Sequence, residues 1–155
     1  MTINVKIKLK WLLPVVSTVL LAAACRTPVA AVGDPAVMPE AKQVWQLVEM
    51  RGKAVGSTAI VLTINPEAST LSGRTSCNRY ASDCVIRFDI DQPAGTRYTL
   101  TVSNLESGSV SCPEADMNVE QRYLALLKKA DAMLIDAYTL TLCQRGKPIL
   151  KYELR

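Results

Sequence analysis

Five cysteines and no histidine bound the chemistry this chain can do. Without histidine, Ser-His-Asp and Cys-His nucleophile systems are excluded, as are most zinc enzymes. Cys77, Cys84, Cys112 and Cys143 form an even set in the C-terminal part. In an exported protein such a set reads as disulfides, with three connectivities open. A four-cysteine zinc site would need closely spaced pairs of the C-x2–4-C kind, and these cysteines supply none. Neither a metal nor another cofactor is expected.

Other constellations have simpler explanations. Cys77 lies two residues from Arg79, the setting of a thiolate lowered by positive charge, but half of a disulfide accounts for the same cysteine. Asp89 and Asp91 alternate on a predicted strand as a glycosidase carboxylate pair would, yet they fall on its water face at a strand end. Glu114, Asp116 and Glu120 gather as metal ligands would, but acidic residues in a helix's first turns already favour the helix dipole. Gly73-Arg74-Thr75 lacks the frame of a phosphate loop. No nucleophile, base and orienting group stand at readable spacing, so the chain is expected not to be an enzyme.

The remaining cysteine, Cys25, ends the run Leu21-Ala22-Ala23-Ala24-Cys25. Before it come Lys6, Lys8 and Lys10, then an apolar stretch from Trp11 to Ala24 broken by Pro14. That order is the layout of a secretory signal peptide, and the stretch is shorter than the ~20 apolar residues of a spanning helix. A cysteine after three small residues resembles the lipobox of bacterial lipoproteins. The resemblance implies cleavage after residue 24, lipidation of Cys25 and anchoring by several acyl chains, each buried CH2 contributing ~0.8 kcal/mol. Arg26 follows where Asp would favour inner-membrane retention, so the periplasmic face of the outer membrane is the expected address. The signal carries three of the 18 Lys+Arg, which leaves the rest nearly balanced against 14 Asp+Glu. Nucleic-acid binding, which needs a clustered basic face, is not expected.

The elements that would position these residues follow from periodicity. Residues 25–42 hold Pro28, Pro35 and Pro39 without a repeating apolar pattern and read as a tether. One folded domain is expected over 43–155. Strands are predicted at Val44–Val48, at Ala59–Ile64 and from Leu71, with Asn65-Pro66 as a turn. Ile86, Phe88 and Ile90 alternate with Arg87 and Asp89, and Tyr98, Leu100 and Val102 with Thr99, Thr101 and Ser103. Residues 113–130 break the period of two: Met117, Leu124 and Leu127 make a helical stripe. Ser111 and Glu114 suggest a capping box, Pro113 a first turn, and Lys128 and Lys129 a basic last turn. Two strands then alternate through Tyr138, Leu140 and Leu142 and through Leu150, Tyr152 and Leu154, joined by a hairpin turn at residues 145–148. The expected fold is α+β and mainly β, an antiparallel sheet with one helix over an opening or edge.

The motifs carry a family resemblance across roughly residues 44–154. Trp45-Gln46-Leu47 opens it. Leu71-Ser72-Gly73 with Ser76-Cys77-Asn78-Arg79-Tyr80 matches an "SG…GCN.Y" motif, with Ser76 in the place of Gly. Ser109-Val110-Ser111-Cys112 stands where "T.MAC" belongs and keeps its cysteine. Met117, Glu120, Tyr123 and Leu127 follow the helix pattern, and residues 138–142 and 146–150 the terminal hairpin. Together these resemble the META domain of HslJ-like, heat-shock-associated bacterial lipoproteins.

The resemblance implies a small curled sheet, like a cracked barrel, with one helix. It also implies an envelope protein linked to stress or drug tolerance. The chain is expected to be a monomer with an unidentified envelope protein as partner. Similar cracked barrels occur in pilot lipoproteins that bind secretins. The alternatives are a secretin-pilot-like lipoprotein, or a carrier of a small hydrophobic ligand or lipid chain in a cavity lined by Ile60, Leu62, Phe88, Leu100 and Leu140. The motif positions imply a Cys77–Cys112 disulfide, which leaves Cys84 to Cys143, and a Glu120–Arg79 salt bridge tying helix to loop. Asn78 is expected to hold a left-handed turn or hydrogen-bond the loop backbone, with Arg79 exposed and Tyr80 buried beside it.

Overall fold

The computed structural model describes residues 43–56, 59–88 and 96–155. The signal peptide, the tether and Cys25 lie outside the described residues, as do Asp89 and Asp91. The described elements are β1 (Val44–Met50), β2 (Lys53–Ala54), β3 (Val61–Asn65), β4 (Thr70–Arg74), β5 (Arg79–Phe88), β6 (Thr96–Ser107), α1 (Glu114–Leu127), β7 (Ala132–Ile135), β8 (Thr139–Gln144) and β9 (Lys147–Leu154).

Alternation turns one face of each long strand inward. Along β5, Tyr80, Ser82 and Cys84 are buried while Arg79, Ala81, Asp83 and Val85 are exposed. A sheet with one apolar face must cover it, and this one does so by closing. All pairings are antiparallel, each strand from β3 to β9 pairs with the next, and β9 returns to β1. Eight strands thus make a closed barrel. β2 and β3 share one edge of β1, β2 against Glu49 and Met50 and β3 against Val44–Gln46. Trp45, Leu47, Leu62, Ile64, Leu71, Leu140, Leu142, Leu150 and Tyr152 fill the interior.

Turn chemistry sets the register. Arg51 and Gly52 have φ of 48° and 76°, and Arg145 and Gly146 have 51° and 74°. Two successive left-handed residues are the signature of the type I′ turn, whose twist suits a tight hairpin. Asn104, at φ 49°, bulges β6 where its register with β5 shifts between Ala81 and Asp83. Its side-chain amide donates to Asp83 Oδ2 at 2.6 Å.

Several expectations change. β7 is a strand that the periodicity did not predict. Phe88 is 54% exposed rather than inward: it ends β5 and meets Tyr98 edge-to-face at 5.7 Å. The helix starts at Glu114 after Pro113 with no side-chain cap bond, so the Ser111–Glu114 capping box does not form. It ends at Leu127, which places Lys128 at the C-cap and Lys129 beyond the last turn. Its buried residues are Glu120, Tyr123, Leu126 and Leu127, while Met117 is exposed. One turn of the buried stripe is therefore polar.

The Cys84–Cys143 bridge is also overturned: both cysteines are buried and free. Cys84 points into the core from β5. Cys143 pairs with Ala132, one residue out of phase with the inward pair Met133 and Leu142, and so sits on the other face of the sheet. β6 and β7 separate their strands, a distance of roughly three strand spacings of ~4.8 Å. A disulfide needs Cα atoms within about 7 Å. The register shift between Leu142 and Cys143 toward β9 does not bring Cys143 inside.

Candidate functional site

The polar groups that sequence reading singled out converge where the β4–β5 loop meets the helix. Residues 75–78 turn tightly: the Thr75 N–H donates to the Asn78 carbonyl at 2.8 Å, and the Asn78 N–H donates to Thr75 Oγ1 at 2.9 Å. The Cys77 N–H also reaches Thr75 Oγ1, at 3.3 Å. The Thr75 hydroxyl in turn donates to Glu120 Oε2, with the Asn78 carbonyl also within its reach at 3.0 Å.

Glu120 reaches this loop because α1 presents it in the same row as Tyr123 and Leu127, at spacings of three and four. Its carboxylate is buried. Besides Thr75 it accepts from the Asn78 side-chain amide at 2.9 Å on Oε1 and from the Asn78 N–H at 3.3 Å on Oε2. Burying a carboxylate is costly unless hydrogen bonds compensate, and this one has three donors. The expected Glu120–Arg79 salt bridge is absent. Arg79 is exposed on the outward face of β5, while residues 75 and 78 present donors directly to the acid. Helix and loop are tied as the resemblance implied, but by neutral donors.

Asn78 joins a third segment. The Val110 N–H donates to its Oδ1 at 2.9 Å, and its Nδ2 also lies 3.4 Å from the Val110 carbonyl. That pattern fixes the amide orientation, since the reverse would face oxygen to carboxylate. Asn78 hydrogen-bonds the backbone and is not among the positive-φ residues. Cys77 and Cys112 are joined beside it with Cα atoms 6.2 Å apart. The disulfide and the amide thus fasten residues 110–112, the approach to α1, to the β4–β5 loop.

Tyr80 continues the arrangement inward. Its hydroxyl donates to the Val61 carbonyl at 3.0 Å and lies 2.6 Å from the Tyr123 hydroxyl, which accepts from Tyr152 at 3.1 Å. Each phenol has one proton, so the bonds run from Tyr152 through Tyr123 and Tyr80 to the carbonyl. Burial holds all three phenols well above their ordinary range, so they act as fixed dipoles at neutral pH. The Tyr80 ring lies over Gly73 of β4, where a Cβ would stand 2.5 Å from its hydroxyl. The glycine of the Ser72-Gly73 motif makes room for that ring.

Burial also raises the thiols of Cys84, reinforced by Asp83, and of Cys143, where Arg97 opposes the rise and Asp131 adds to it. Thr75 is the residue that sequence reading missed. It stood in a rejected phosphate-loop match, and its signal is the three-residue spacing to Asn78 that supports a Ser/Thr turn. Glu114 is exposed and takes no part in the Glu120 cluster. The described residues hold no metal-ligating group of three or more.

The fold defines a small antiparallel β-barrel domain with one helix fastened across it. The chain belongs to the META domain family, whose model matches residues 39–154. Two solved NMR structures are similar. One, from Burkholderia xenovorans, is 18% identical at TM-score 0.54, covering 79% of this chain and 94% of that one. The other is 22% identical at TM-score 0.52, covering 77% and 96%. At these identities the likeness establishes the fold alone. No curated protein matches the chain.

Proposed function

We propose that this protein is an envelope lipoprotein, anchored through Cys25 at the periplasmic face of the outer membrane. Its META domain then serves without catalysis as an interaction or envelope-integrity module for another envelope protein. The observation that carries this proposal is the commitment of Glu120, the most reactive-looking buried group, to Thr75 and Asn78. A catalytic carboxylate must face a substrate; this one faces the loop that holds its own helix.

The carrier alternative draws less support. Ile60, Leu62, Leu100 and Leu140 pack in the core with Trp45, Tyr123 and Tyr152, and Phe88 lies outside. The interior is filled by the residues expected to line a cavity.

Two measurements test the proposal. Labelled palmitate should enter the wild-type chain and not Cys25→Ser, and only the wild type should fractionate with the outer membrane. Equal labelling of both would sink the anchor. Crosslinking in intact envelopes should capture a defined protein partner. Turnover of an envelope substrate that Glu120→Gln abolishes, with the melting temperature unchanged, would sink the non-catalytic role.

A further inference from the structure

A groove of about 570 Å3 runs between α1 and the β1–β2 hairpin, outside the barrel. That is within the size range of small-molecule sites. Its two walls are built differently. The hairpin wall is fixed by the backbone: the Arg51 N–H donates to the Ile149 carbonyl at 2.9 Å, and the Val55 N–H to the Val48 carbonyl at 3.0 Å. On the helix wall, Val119, Arg122 and Leu126 follow one another at spacings of three and four, a single stripe, and Lys129 stands just past the helix end.

Apolar and charged groups separate within the groove. Met50, Val55, Val119, Ala125 and Leu126 supply apolar surface, and Leu126 is buried at its floor. Arg51, Lys53, Arg122 and Lys129 are exposed around them, and no lining residue among the described residues is acidic. Arg122 Nε donates to the Asn118 carbonyl at 3.2 Å, which holds the guanidinium along the helix. Four cations with no carboxylate among them repel one another and attract an anion. The apolar floor attracts an alkyl chain.

We propose that this groove binds a monomeric anionic amphiphile, one alkyl chain with a phosphate- or carboxylate-type head group. The chain lies along Val119 and Leu126, and the head group meets Arg51, Lys53, Arg122 and Lys129. Concavity favours a monomer over a bilayer face, because a flat lipid surface would touch the cationic rim without reaching the floor. The site goes beyond the anchoring and partner roles above and does not depend on lipidation of Cys25.

The test is photo-crosslinking of the full chain, purified in a maltoside detergent so that a neutral amphiphile is present in excess throughout. The probe is decyl phosphate carrying a diazirine on its chain. Saturable crosslinks should map to residues 50–55 and 119–129. Unlabelled decyl phosphate should compete, and decyltrimethylammonium should not. Lys53→Glu with Arg122→Glu should cut labelling ~10-fold or more, as charge reversal at the point of contact does. Val119→Trp, which fills the floor and keeps every charge, should cut it comparably with an unchanged melting temperature, and Arg87→Glu on β5 should have no effect. Labelling spread over the barrel, equal competition by the cationic amphiphile, or indifference to both groove variants would overturn the proposal. Displacement by a poly-glutamate peptide without an alkyl chain would assign the groove to an acidic segment and overturn it as well. So would binding that requires anionic vesicles.

Discussion

The Asn78 side-chain amide donates to Glu120 Oε1 at 2.9 Å, joining the β4–β5 loop to the helix. The same amide accepts the Val110 N–H, so one short side chain holds three segments of the chain. Asn78→Asp would set a second carboxylate against the first with no cation in the cluster. A loss of about 3 kcal/mol is expected, because the substituted side chain no longer donates to Glu120 and sets oxygen against oxygen. Urea melts measure this, and a variant of wild-type stability would contradict it. Glu120→Gln keeps the shape but brings an amide against the Thr75 and Asn78 donors, and about 1–3 kcal/mol should be lost.

Closing the loop between Cys77 and Cys112, 35 residues apart in sequence, should contribute ~4 kcal/mol in the chain-entropy account. Cys77→Ala with Cys112→Ala should lower the urea midpoint accordingly, and the loss should resemble that caused by reductant on the wild type. Non-reducing peptide mapping should recover this bridge alone within the domain.

Cys84 and Cys143 are free and buried, with thiols held above their ordinary range. A neutral thiol shielded from solvent alkylates slowly. In the native protein at pH 7.5 both should resist iodoacetamide, and both should react fully once denaturant is added. Rapid native labelling of Cys143 would show that its outer-face burial is transient.

The tyrosine chain predicts alkaline sensitivity. Folded phenol pKa values lie above the ordinary 10.0 for Tyr80, Tyr123 and Tyr152. Above pH 10 the unfolded chain therefore loses protons that the folded one keeps, and stability falls as pH rises. Below pH 10 both states hold these protons, and the contribution is flat. Three such groups give a limiting slope of about 4 kcal/mol per pH unit. Tyr152→Phe should make the measured slope shallower by about 1.4 kcal/mol per pH unit, as followed by urea melts from pH 9 to 11.5.

Gly73→Ala should destabilise by about 3 kcal/mol or more, because the new methyl group would collide with the Tyr80 hydroxyl and the neighbouring Val61 carbonyl. Tyr80→Phe in the same background should relieve only the side-chain part of the clash. A Gly73→Ala domain with wild-type stability would show that β3 and β4 shift apart at low cost.

Much of the barrel was legible because strand alternation is local. Tyr98 and Leu100, Leu140 and Leu142, and Leu150 and Tyr152 point inward as their period of two predicts. The Arg145-Gly146 turn is equally local, since two adjacent residues and their backbone freedom define it. β7 escaped because Ala132-Met133-Leu134-Ile135 is apolar at every position and so carries no alternation. Only its pairing with β6 and β8 leaves Leu134 outward and Met133 inward.

The candidate site divides in the same way. The sequence by itself placed Asn78 in a loop and Glu120 on a helix, because turn chemistry and helical period act over a few residues. Their union was decided by the tertiary structure, since it spans 42 residues and depends on where barrel closure brings the β4–β5 loop. Arg79 is adjacent to Asn78 in sequence yet has no part in the latch. The pleat of β5 turns it outward, and a buried acid selects donors by the direction in which they point rather than by their charge. Cys84 and Cys143 obey the same geometry: their number invited a second bridge, and the sheet set them on opposite faces.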